Sequence, residues 1–199
     1  MKMTLLNASF FALIVIGAFY GCSPKTTDSV SQPSNPPTRQ AHMDDEENPY
    51  NGLRQMALNF TPEELGLEVS NKNFKAFGIV MDWDLGNGIA TLSVLATGDV
   101  SMYLSTGGGY IGGGQHENVR KAGLNYLKVG QEFLDKTTLT EETPLPARNT
   151  VNFFFLTNKG KYVGREGMAN IDSGNSDWTN LFVEANKVLT QLRLATESN

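Results

Sequence analysis

Apolar and polar positions alternate along three neighbouring stretches of the chain, and then the period lengthens to that of a helix. Phe77, Ile79, Met81 and Trp83 alternate with Gly78, Val80 and Asp82, and a turn rich in Gly and Asn follows at 84–88. Residues 89–96 read as a second strand. Thr97-Gly98-Asp99 then turns the chain into a third, 100–105, so the three form an antiparallel meander. From about 115 to 136 the apolar positions are Val119, Ala122, Tyr126, Val129 and Phe133, with Leu127 and Leu134 widening the stripe, which predicts a long helix. Residues 150–156 carry Phe153-Phe154-Phe155, a pattern for a strand buried on both faces, and Asn158-Lys159-Gly160 turns it into a hairpin arm at 161–166. Ser176 or Asp177 is placed to cap a last helix whose stripe (Trp178, Leu181, Phe182, Ala185, Val188, Leu189, Leu192) reads as core. Upstream, Leu53, Met56, Ala57 and Phe60 predict a short first helix. Thr61-Pro62-Glu63-Glu64 is a capping box for a second that Gly66 ends within two turns. The economical solution is an α+β domain, a five-stranded antiparallel sheet with helices packed on it.

Before this domain the pattern is of two other kinds. Met1 and Lys2 precede an apolar stretch, 5–20, broken only by Asn7 and Ser9 and closed by Gly21-Cys22. That is the plan of a secretory signal. As a helix its length is about 24 Å, short of the roughly 30 Å hydrocarbon core of a bilayer. Residues 23–48 hold Pro24, Pro33, Pro36 and Pro37 among Ser, Thr, Gln and Asp, with Val30, Ala41 and Met43 as the only apolar side chains. Such a segment cannot bury enough surface to offset its ordering entropy. The expected organisation is a leader at 1–21, a cysteine and polar tether at 22–48, and one domain at 49–199. As a flexible coil the tether has a mean reach of roughly 25–30 Å.

Composition narrows the possible chemistry. The chain has 16 basic and 21 acidic residues, a formal charge of -5, and no basic tract. Phosphate-backbone binding needs clustered Lys and Arg, so nucleic acid is not expected as a partner. The single cysteine excludes an internal disulfide and a cysteine-rich zinc site, and two histidines exclude a multi-histidine metal centre. Nothing in the sequence requires a cofactor.

Candidate chemistry concentrates in Gly107-Gly108-Gly109-Tyr110-Ile111-Gly112-Gly113-Gly114, which leads into Gln115-His116-Glu117 and the long helix. Each glycine has about 0.5–1 kcal/mol more chain entropy to lose than alanine. The run therefore points to a need for room, positive φ or close approach. One reading is an anion or ligand site formed by Gly108, Gly109, Gly112, Gly113 and Gly114, with His116 and Arg120 beside backbone N–H groups at the helix start. The other is a packing device that lets the strand bend and the helix cross the sheet closely. No Gly-Lys-Ser/Thr follows, so this is not a Walker A loop, and a meander strand does not make a dinucleotide fingerprint. His116 as a general base would need a nucleophile such as Ser105 and an orienting acid such as Glu117. Asp82-Trp83-Asp84 with Gly86-Asn87-Gly88 has some features of a calcium loop, but Ser93 stands where Glu is required, and a hairpin end accounts for it.

Two resemblances add to this reading. A small residue before a cysteine at the end of an apolar leader resembles the lipobox of bacterial lipoproteins, with Phe19 and Tyr20 in the two preceding places. The resemblance implies cleavage before Cys22, lipid on its sulfur, and a cell-envelope location. Ser23 does not resemble the inner-membrane retention signal, which favours the outer membrane. The alternative is an uncut signal anchor. The element order of 50–194 resembles profilin-like folds of the roadblock type, which implies pairing of copies through sheet edges or helices. The expected function is thus a lipid-anchored, non-catalytic interaction module with a protein partner or a second copy of itself. The alternatives are a small-ligand sensor or enzyme at the glycine-rich segment, and an immunity-type inhibitor of an envelope toxin.

Overall fold

The computed structural model describes residues 49–68 and 73–197. The leader, Cys22 and the tether lie outside the described residues.

The first helix, α1 (Tyr50–Asn59), buries Tyr50, Arg54, Ala57 and Leu58. These follow the i, i+4, i+7, i+8 rhythm of one helix face. The stripe is rotated from the one expected: Met56 is 51% exposed and Arg54 only 3% exposed. The Thr61 capping box forms in both directions, Thr61 N–H to the Glu64 carboxylate at 2.8 Å and Glu64 N–H to Thr61 Oγ1 at 3.3 Å. It caps a single turn rather than a helix, and Gly66 leaves it at φ 65°.

The meander is β1 (Ala76–Asp84), β2 (Ile89–Leu95) and β3 (Val100–Leu104). The long helix is divided into α2 (Glu117–Gly130) and a 3₁₀ extension, Gln131–Lys136. The hairpin is β6 (Thr150–Thr157) and β7 (Gly160–Gly167), followed by α3 (Met168–Asp172) and α4 (Thr179–Glu197). Ser176 Oγ accepts the Trp178 N–H at 3.0 Å just ahead of α4.

Two additional strands, β4 (Gly109–Tyr110) and β5 (Thr138–Leu139), are each two residues long. They form the edges of a sheet of seven strands, not the five expected, in the order β4-β3-β2-β1-β6-β7-β5. Two residues leave no alternation to read, and each pairs only because tertiary packing brings it to the sheet. All pairings are antiparallel.

Both faces of the sheet are covered. One carries Ile79, Met81, Leu92, Val94, Phe153 and Phe155 against Val119, Tyr126, Leu181, Ala185 and Val188 of α2 and α4. The other carries Val80, Leu95, Tyr103, Phe154 and Leu156 against Tyr50, Ala57 and Leu58 of α1. The run Phe153-Phe154-Phe155 serves both, and all three are fully buried. Among the described residues no helix is long and apolar enough to cross a membrane.

Candidate functional site

The glycine-rich segment begins as the turn between β3 and β4. Gly107 N–H bonds the Leu104 carbonyl at 3.0 Å, and Leu104 N–H bonds the Gly108 carbonyl at 3.1 Å. Gly109 has φ 154°, and a Cβ there would overlap the carbonyl of Met102 on the neighbouring strand. Gly108 and Gly109, with Pro49, Tyr50, Leu53, Tyr103 and Ile111, line a shallow cleft of about 240 Å³ at the start of α1. Gly112 stands in the left-handed region (φ 77°) and turns the chain into the 3₁₀ turn Gly113–Gln115.

From there the segment serves the opposite face. A Cβ on Gly113 would overlap Leu192 of α4, and one on Gly114 would overlap the carbonyl of Gly98. Arg120 lies along Gly98, with Cζ 2.9 Å from where a Cβ would stand. His116 Nε2 is 2.7 Å from the Tyr110 hydroxyl. The proposed set is thereby divided: Gly108 and Gly109 face the cleft, while Gly113, Gly114, His116 and Arg120 join α2 and α4 to the sheet. Glu117 pairs with Lys121 at 2.6 Å in solvent, and Ser105 Oγ accepts the Ile89 N–H at 2.8 Å.

A second constellation lies on the α1 face. Tyr103 stands opposite Thr91, Thr91 opposite Asp82, Asp82 opposite Asn152, and Asn152 opposite Arg165. One polar row thus crosses five strands, β3-β2-β1-β6-β7. Arg54 descends onto its centre. Its Nε and Nη2 donate to Asp82 Oδ2 at 2.9 and 2.6 Å, and Nη2 also reaches the Thr143 carbonyl at 2.9 Å. The guanidinium carbon is 5.8 Å from the centroid of the Phe154 ring. The Arg54 and Asp82 side chains are 4% and 0% exposed. Thr91 Oγ1 gives its proton to Asp82 Oδ1 at 2.6 Å, so the Tyr50 hydroxyl 2.9 Å away is the donor to Thr91. Burial raises the pKa of Tyr50 and keeps that donor protonated. A buried ion pair is tolerated only when its remaining hydrogen-bonding capacity is met, and here neighbours meet it.

Asp82 is therefore a counter-ion, and Asp84 accepts the Asn149 N–H at 2.7 Å. Among the described residues no three His, Cys, Asp or Glu side chains are placed to hold a metal ion. The sequence reading passed over Arg54, Asn152 and Arg165. A usable signal existed: Arg54 falls on the α1 stripe between Tyr50 and Ala57, and Asp82, Thr91 and Asn152 interrupt otherwise apolar strands.

No protein-family profile matches the chain, and no curated protein and no solved structure matches it either.

Proposed function

We propose that this chain is a lipid-anchored protein of the bacterial cell envelope, cut before Cys22 and tethered there in the outer membrane. Its domain acts as a non-catalytic interaction module for a protein partner or a second copy. The observation that carries the binding role is Ile111. It is 66% exposed, and it lines the cleft together with Pro49, Leu53, Tyr103 and Leu104. An exposed aliphatic side chain that continues into an apolar cleft forms a contiguous patch of the kind a partner covers. A second reading, a small-ligand sensor or enzyme, draws on Gly108 and Gly109, which line the same cleft.

Two measurements test this. Cys22→Ala should abolish lipid labelling and leave the precursor uncut; normal processing of that variant would remove the anchor from the proposal. Affinity capture from envelope extracts should recover a partner with the native chain and lose it with Ile111→Asp. Capture unaffected by that change would displace the binding role from the cleft. A small molecule that raised the melting temperature, with no partner recovered, would favour the second reading.

A further inference from the structure

The polar row on the α1 face ends at Arg165, and the row explains why this cation is left over. Asp82 is already taken by Arg54 and Thr91. It also stands two strands from Arg165, about 9–10 Å away. The next residue, Glu166, points to the opposite face, where Ser176, Asn170 and the Gly167 N–H bind its carboxylate at 2.5, 2.9 and 2.8 Å. The bonds from Ser176 and Asn170 hold its pKa below the ordinary glutamate value, so it stays charged and occupied. Among the described residues Arg165 has no ion pair.

Its side chain borders an open cavity of about 380 Å³ at the far end of this face from the glycine corner, bounded also by Leu145, Ala147, Thr150, Asn152, Gly167 and Glu166, whose carboxylate is the one held by Ser176 and Asn170. Asn152 is 2% exposed. Its Nδ2 donates to the Pro144 carbonyl at 3.2 Å, which leaves its Oδ1 as an acceptor. Gly167 opposite Thr150 places no side chain in the cavity floor. Leu145 supplies an apolar wall and is 46% exposed.

Three features thus converge: a guanidinium that matches a carboxylate, an amide oxygen that accepts an N–H, and an apolar wall beside both. We propose that this cavity binds the free carboxyl end of a peptide. The terminal carboxylate lies on Arg165, the last amide N–H faces Asn152, and a small terminal side chain packs on Leu145 and Ala147. The size suits it, since ligand cavities run from about 300 Å³ upward. This site is separate from the cleft at Ile111, so either can stand without the other.

The test is an NMR titration of the full chain in detergent with N-acetyl-alanyl-alanine and with its carboxamide. The free acid should give saturable shifts at Leu145, Asn152 and Arg165, and the carboxamide should bind at least about tenfold more weakly. Arg165→Met, a change at an exposed position, should cause the same loss. Leu145→Ala should weaken binding of the dipeptide while leaving its preference for the free acid intact. The proposal is overturned if acid and carboxamide bind alike, if acetate binds as well as the dipeptide, if Arg165→Met binds normally, or if no saturable shift occurs at these residues.

Discussion

Under α2 and α4 the sheet presents Ile79, Met81, Val94, Phe153 and Phe155, and glycines bring the covering elements close. Under α1 it presents the row Tyr103-Thr91-Asp82-Asn152-Arg165, and a buried ion pair ties the helix down. A Cβ on Gly123 would crowd Val100, one on Gly130 would overlap Ile79, and one on Gly164 would overlap the Trp178 indole. That indole stacks on Phe153 at 5.3 Å, with the ring planes 9° apart. The ten residues of α1, with Phe60, Leu65 and Leu67 after it, cover the α1 face, and from the helix Arg54 and Tyr50 reach the polar row. Close packing past glycines distinguishes one face, and directed bonds added to an apolar cluster distinguish the other. On this side lie the cleft at the start of the short helix and, further along the polar row, the cavity beside Arg165, and these are the two proposed binding sites.

The largest effect should come from breaking the ion pair on one side only. Arg54→Met leaves Asp82 buried without a cation and should destabilise the domain by about 3–5 kcal/mol in urea titrations. Arg54→Met combined with Asp82→Leu should recover most of that loss, because no uncompensated charge remains. A double variant as unstable as the single one would show that the pair does more than neutralise itself.

The glycine-sealed face should yield to a single methyl group. Gly164→Ala must displace Trp178 from its stack and should cost about 1–3 kcal/mol, read as a lower urea midpoint. Wild-type stability would mean that Trp178 is free to move.

The smallest effects should differ in sign. The Tyr126 hydroxyl is buried under α2 with no hydrogen-bond partner among the described residues, and burial raises its pKa. Tyr126→Phe should therefore stabilise the domain by about 1 kcal/mol. Tyr50→Phe removes the donor to Thr91 and should destabilise it by about the same amount. Two changes of the same sign would erase the contrast between the faces.

Much of this was legible in the chain itself. The meander, the hairpin and the helices at 117–130 and 179–197 follow from periodicity, because each contributes several residues to a buried face. The Thr61 box forms as its residue types require, although a single turn is all it caps. The edge strands were not legible, since two residues carry no period. Met56 and Arg54 exchanged places for a reason outside α1: the counter-ion that lets Arg54 enter the core stands on β1.

The sequence by itself determined where the longer strands and helices from Tyr50 onward fall, and which positions of most of them are apolar. Both are properties of neighbours along the chain, where propensity and hydrophobic spacing act. Only the tertiary structure decided what the distinctive residues do. It divided the glycine-rich segment between a cleft and a helix contact. It also aligned Tyr103, Thr91, Asp82, Asn152 and Arg165 from five separate strands into one row. Strand register sets such a row, and register follows from how the whole sheet packs.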